Sequence, residues 1–332
     1  MPRVSPPQLA GALLGQALGD ALGFVVEARS PATAADYVRD VLRAGRASER
    51  SHPDHSFGQY SDDTQLAREL LLSVRDAGGW RADAFAARIA DLFRAGRDVG
   101  AGLGTRAAAD RLIAGHDWRE AGTPPPYAGN GSAMRAVPFG LLFAGDPKAL
   151  CRAVREQSLV THRDPRCAAG AIAVAGAAAL TMGSTPVDAG EVLRELARWI
   201  EADDLSVAEA VLAVEAWLPL SATDAAERLR SAGLDPGHIS PWRGISGFVT
   251  PSVAWTLYAF LRSPDDYWEA VYTAIAVGGD TDTMAAMAGA LAGARVGVAG
   301  LPADLVGRLH DRGEWGAEAL TELAEACAPF AC

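Results

Sequence analysis

The chain is poor in cysteine, with four in 332 residues, and no two of them form a Cys-x-x-Cys pair. That leaves no zinc, iron–sulfur or redox-dithiol signature, and sparse thiols suit a reducing compartment. Cys151, Cys167, Cys327 and Cys332 read as small apolar residues of the core or of an exposed tail. Positive charge is also short. The formal net charge is −11 and the pI is near 5.0, so no basic field exists to neutralise phosphates, and generic nucleic-acid binding is not expected. The N-terminus, Met1-Pro2-Arg3-Val4-Ser5-Pro6-Pro7, lacks the layout of a signal peptide. The most apolar run, 167–182, falls short of the roughly 20 residues of a membrane span. A cytoplasmic protein with no membrane contact is expected. Alternating strand patterns, internal repeats and Ser/Gly-rich linkers are missing too.

What is present is helical periodicity. With 49% hydrophobic and 21% charged residues, the chain can bury a sizeable core. Apolar spacing predicts helices over 8–24, 65–77, 83–95, 104–114, 138–143, 147–158, 166–182, 188–202, 207–218, 221–232, 249–261, 267–277, 283–296 and 303–311. This is an all-α pattern, expected to fold as one compact domain over 1–332. Glycines recur four apart at Gly11, Gly15, Gly19 and Gly23, and Ala and Gly fill 168–179 and 285–294. Since glycine weakens a helix, such a stripe implies close approach of another backbone, with ligand contact the lesser reading. Two loops, 48–60 and 121–131, precede polar motifs and are expected to frame a site.

Those motifs are dominated by acids. Ser61-Asp62-Asp63-Thr64 and Gly279-Asp280-Thr281-Asp282-Thr283 are short clusters of carboxylates and hydroxyls. Either alone resembles an ordinary helix start, where a hydroxyl caps free N–H groups and acids favour the dipole's positive end. Together they supply four carboxylates of hard oxygen character, whose repulsion on being brought together must be offset by cations. The pair reads as a binuclear Mg²⁺ or Mn²⁺ site. His52 and His55 lie nearby, but with no third His or Cys they read as part of a mobile exposed loop and not as transition-metal ligands. The eight tryptophans read as core.

Three further motifs complete a constellation: Gly19-Asp20-Ala21-Leu22-Gly23-Phe24-Val25-Val26-Glu27, Gly129-Asn130-Gly131-Ser132-Ala133-Met134-Arg135 and Thr161-His162-Arg163-Asp164-Pro165. Taken in order with the acidic clusters, they resemble the ADP-ribosylglycohydrolase family over about residues 8–300. The resemblance implies an orthogonal bundle of helices with two Mg²⁺ or Mn²⁺ ions in a central cleft. It also implies hydrolysis of the bond between the anomeric carbon of ADP-ribose and an acceptor. Carried over by motif, the metal ligands are Ser61, Asp62 and Asp63 with Asp280, Asp282 and Thr283. Glu27 matches the acid after the family's Gly-Asp-Ala-Leu-Gly run, where it meets a metal or a metal-bound water; it is the first choice for the catalytic base, with Asp98 the alternative.

The same resemblance assigns Asn130, Gly131 and Ser132 to ADP-ribose, in a glycine turn entering a helix whose amides suit a diphosphate. Arg135 reads instead as a buried arginine paired with a cluster acid. His162 falls where the family places a histidine near the nucleotide, while Asp164 stands where some members have a second histidine. Phe248 occupies a position where relatives often carry Tyr or Trp, and it either stacks on adenine or packs in the core. Cleavage would pass through an oxocarbenium-like state. The expected function is release of ADP-ribose from ADP-ribosylated proteins, arginine-linked ahead of serine-linked, by a monomer. The alternatives are a catalytically weak ADP-ribose-binding or structural relative, or a metal-dependent hydrolase of ADP-ribosylated nucleic acid, a free nucleotide-sugar or another small N- or O-glycoside.

Overall fold

A computed structural model describes residues 5–183, 186–234 and 242–331. It is helical, with only isolated bridges and no strand among the described residues. The first helices are α1 (Pro6–Gly23), α2 (Pro31–Tyr37), α3 (Asp62–Ala77), α4 (Ala82–Arg94), α5 (Leu103–Ile113), α6 (Trp118–Ala121), α7 (Val137–Leu142), α8 (Pro147–Thr161) and α9 (Pro165–Thr181). They are followed by α10 (Ala189–Ile200), α11 (Leu205–Trp217), α12 (Ala222–Leu229), α13 (Val249–Arg262), α14 (Tyr267–Ile275), α15 (Thr281–Val296), α16 (Ala303–Val306) and α17 (Ala317–Cys327). One hydrophobic cluster runs from Leu9 in α1 to Cys327 in α17.

Periodicity locates most of these elements. Helix α16 is shorter than the expected 303–311, ending before Gly307, and His310 instead forms a bridge to Gln59. Helix α12 likewise stops at Leu229. Helices α2, α6 and α17 lie outside the predicted set. Seven and four residues are too short for α2 and α6 to show a period. In α17 the buried positions Leu320, Leu323, Ala324 and Cys327 do carry the helical spacing. Cys151, Cys167 and Cys327 are buried free thiols; Cys332 lies outside the described residues. A longer apolar stretch, 6–26, is by length and composition able to cross a membrane, yet its most apolar part is 94% buried inside the protein.

That burial explains the glycine stripe. Helix α1 lies against α15 at near backbone contact. A Cβ on Gly11 would stand 2.4 Å from the Gly293 carbonyl oxygen, on Gly15 2.3 Å from that of Gly289, and on Gly19 2.1 Å from that of Ala285. At the end of the stripe, the Thr281 hydroxyl donates to the Gly23 carbonyl at 2.8 Å. The stripe therefore serves helix packing, and it sets how close the acids of α15 come to the C-terminal end of α1. Gly19→Ala is expected to destabilise the protein by about 1–3 kcal/mol, although the same change in an exposed helix would stabilise it. Denaturant unfolding measures this, and a variant as stable as the parent would show that the two helices are free to separate.

Of the eight tryptophans, Trp255 alone is a fully buried core residue among those described; most of the others pack at the edge of the core, and Trp242 lines a cavity.

Candidate metal centre and substrate cavity

Both acidic clusters open helices, and both helices start earlier than periodicity predicts. In α3 the Ser61 hydroxyl caps, accepting from the Asp63 amide at 3.2 Å, which places Asp62 and Asp63 in the first turn. In α15, Asp280 stands at the cap and Asp282 in the first turn. Two positive helix ends therefore point acids at a common place. The clusters touch: Asp63 Oδ2 accepts from the hydroxyls of Ser61 at 2.9 Å and Thr283 at 3.3 Å.

Asp20, which the sequence shows only as one residue of a motif, organises this junction. Fully buried in α1, it accepts from the Ser61 amide at 2.9 Å, the Thr64 amide at 3.1 Å and the Thr64 hydroxyl at 2.6 Å. It thus satisfies the free amides of α3 from outside that helix. Gln16, one turn earlier, donates to the carbonyls of Asp63 and Met134. Glu27 follows the short 3₁₀ turn Phe24–Val26. It is held beside the second cluster because the Ala28 amide donates to Gly279 O and the Gly279 amide to Arg29 O.

Glu27, Asp280 and Asp282 each bring a carboxylate oxygen to within 4.8 Å of the others. Burial raises the Asp62 carboxyl well above its usual range, and the nearby charges of Asp20, Glu27, Asp280 and Asp98 raise it further. Asp282 is raised in the same way by burial and then by Glu27, Asp280, Asp63 and Asp20. Asp63 follows, again chiefly through burial. Every charged neighbour named here is an acid, and Asp63 Oδ1 and Asp282 Oδ1 are buried with no hydrogen-bond partner. Such a set of hard oxygens with unused lone pairs fits divalent cations.

The protonation sign follows. Burial raises Asp20 to about 6 and, with Asp280 and Asp20 adding to it, raises Glu27 to about 7. An acid whose folded pKa exceeds its unfolded value stabilises the fold below the unfolded pKa, and that contribution is lost as pH rises through the folded value. Metal-free protein is therefore expected to lose stability from about pH 4 to pH 7 and above. Its melting temperature in chelator should fall by about 5 °C or more over that range, with Mg²⁺ or Mn²⁺ restoring most of the loss at the alkaline end. A melting temperature that rises with pH in chelator would contradict the arrangement.

The acids form one wall of a 680 Å³ cavity lined by Glu27, Asp62, Asp280, Asp282 and Thr283, a size suited to a nucleotide and not to a folded partner. Of the residues assigned to substrate, Asn130, Gly131, His162 and Phe248 line the cavity as well. Asn130 also donates to Asp280 Oδ2 at 2.5 Å and to Ser252 Oγ at 2.9 Å, so it steadies an acid as well as facing the space. His162 is buried, with Nδ1 2.8 Å from the Thr161 hydroxyl. Burial, aided by Arg135, pulls its pKa down to about 3, so the ring is neutral.

Other expectations need correction. The Ser132 hydroxyl turns to the core, donating to Cys167 O and accepting from Ser158 Oγ. The turn does not open directly into a helix, since α7 begins at Val137; the amides of Asn130, Ala133 and Met134 already donate to backbone carbonyls. Arg135 is buried as expected but hydrogen-bonds Gln157, Gly131 and Thr161, not an acid. Asp98 stands back from the cavity lining, in an ion pair with Arg106 at 2.6 Å. His52 and His55 are half-buried and stack by Phe24, His52 at 4.2 Å between ring centroids. Of the two loops, 121–131 contributes to the cavity and 48–60 does not; Gly100, Gly102, Leu103 and Thr105 take its place.

Comparison with known proteins points the same way as this geometry. The chain is 28% identical to the ADP-ribosyl-[dinitrogen reductase] glycohydrolase of Rhodospirillum rubrum, an alignment covering 90% of this chain and 89% of that one. It is 28% identical to human ADP-ribosylhydrolase ARH3, covering 88% and 86%. A solved structure described as an ADP-ribosylglycohydrolase-related protein complex superposes with a TM-score of 0.72 at 24% identity, over 98% of this chain and 99% of that one, and so shares the fold. The profile of the family described as ADP-ribosylglycohydrolase matches residues 7–330. Since that span takes in both acidic clusters and every wall of the cavity, the chain belongs to the ADP-ribosylglycohydrolase family.

Proposed function

We propose that this protein is a hydrolase, dependent on two Mg²⁺ or Mn²⁺ ions, that releases ADP-ribose from ADP-ribosylated protein side chains. The observation that carries the reading is an uncompensated set of buried acids on one wall of a nucleotide-sized cavity. The names of the relatives, which describe action on ADP-ribosylated substrates, support it. Asp62, Asp63, Asp280 and Asp282 would hold the cations, with Ser61 and Thr283 as hydroxyl donors to the set. Bound there, divalent ions supply Lewis acidity toward the sugar hydroxyls and the attacking water. In this reading Glu27 takes the proton from the water that attacks the anomeric carbon. Neutral His162, anchored by Thr161, and the Phe248 ring shape the wall for the rest of the nucleotide.

Leaving-group chemistry favours arginine over serine. A glycosylated guanidinium is already cationic and departs as a neutral guanidine, so it needs no dedicated acid, whereas a serine alkoxide does. Among the described residues lining the cavity, Glu27 is the one carboxyl outside the two acidic clusters. In this reading the enzyme acts as a cytoplasmic monomer. The test is a panel of arginine-, serine- and nucleic-acid-linked ADP-ribose substrates with Mg²⁺ or Mn²⁺, monitored for free ADP-ribose. Release from the arginine conjugate first is the expected result; release from none of them overturns the reading.

A further inference from the structure

Apart from the acids, charge is almost missing from the cavity. Among the described residues that line it, Arg166 is the sole Lys or Arg, and His162 is neutral. Arg166 lies in the first turn of α9, where Asp164 caps the helix and fixes the guanidinium: Nε donates to Asp164 Oδ1 at 2.8 Å and Nη2 to Asp164 Oδ2 at 2.7 Å. Nη2 also reaches the Pro126 carbonyl at 3.2 Å. The guanidinium sits over Phe248, 5.1 Å from the ring centroid. Two edges are thus committed, while Nη1 has no hydrogen-bond partner among the described residues. The side chain remains 21% exposed, so it is neither sealed in the core nor loose in solvent.

We propose that Arg166 is a specificity-determining residue whose Nη1 edge binds a phosphate of the substrate, so that the enzyme selects phosphorylated ribosyl conjugates over bare ribosides. The inference rests on the ADP-ribose reading of the cavity. Its geometry comes from the 246–248 segment. A Cβ on Gly247 would stand 3.2 Å from Asp280 Oδ2, while the next residue, Phe248, carries Arg166. Consecutive residues of this segment thus approach the acid cluster and the guanidinium, and both groups line the same cavity. Among the described lining residues, Arg166 is the one cation that a 5′ phosphate on a ribose held at the acids could meet. Because Asp164 already balances the charge, the contribution is a directional, charge-assisted hydrogen bond in a preset orientation, not a bare field.

The experiment compares wild type with Arg166→Gln in saturating Mg²⁺, using calorimetric Kd for ADP-ribose and competitive inhibition of turnover by D-ribose, which carries no phosphate. ADP-ribose affinity is expected to fall about tenfold, as for loss of one hydrogen bond to a charged group, with D-ribose inhibition unchanged. An unchanged ADP-ribose Kd overturns the proposal. So does an equal weakening of both ligands, which would mean that the wall itself had shifted. Failure of the underlying reading looks different: wild type itself would then release no ADP-ribose from any conjugate.

Discussion

Replacing Asp62 or Asp282 with asparagine is expected to abolish turnover, by at least about a hundredfold, while leaving the fold intact. Each side chain is buried beside other acids, and each carboxyl is held well above the ordinary range by burial first and by like charge second. Removing one charge at constant volume takes away a hard ligand, so the cation is held more weakly. The same change relieves repulsion in the metal-free protein, whose melting temperature in chelator should stay level or rise. Activity and stability are thus expected to move in opposite directions, which a generally damaging mutation would not produce. Turnover at limiting metal, measured beside thermal melts in chelator, checks both. Near-parental activity of either variant would remove that residue from the ligand set.

The second large effect is expected at Glu27. Glu27→Gln should lower kcat by about 10²–10⁴-fold and change the Kd of ADP-ribose little, because the amide keeps the shape and most hydrogen bonding but cannot take a proton. Burial, with the nearby Asp280 and Asp20, raises Glu27 to about 7. A base works deprotonated, so activity should rise with pH through its pKa. Bound cations favour the carboxylate, which places the acidic limb of the wild-type profile at or below about pH 7, and the variant should lose that limb. If affinity collapses while kcat at saturation survives, Glu27 is a ligand or binding residue. Asp98 would then be a poor substitute, tied to Arg106 and set back from the cavity.

Much of the fold was legible because helical order is local. The spacing of apolar residues, the cap Ser61 and the glycines four apart in α1 all act within a few residues of themselves, and the structure follows each of them. Most misses fall on short or interrupted pieces: α2 and α6 are too brief to show a period, and 303–311 is cut by Gly307; α17 is the exception, since its spacing is helical. The roles of individual polar residues were less legible. Ser132 and Arg135 sit in the right motif, yet the motif does not say that the hydroxyl faces Cys167 or that the guanidinium is satisfied by neutral groups.

Composition and local pattern alone determined that this is a helical protein carrying carboxylates and hydroxyls in two short clusters, because residue chemistry and periodicity need no partner to be read. Tertiary structure decided which of those residues meet. Asp20 reaches Ser61 across 41 residues and Thr283 reaches Asp63 across 220, and no periodicity spans such intervals. It also decided that the glycine stripe faces α15, that Gly100, Gly102, Leu103, Thr105 and Trp242 border the cavity where 48–60 is expected, and that a single guanidinium, held by Asp164 and Phe248, faces the space among the described residues. Those outcomes depend on how closely two helices can approach and on which buried groups find partners, and both are properties of the packed whole.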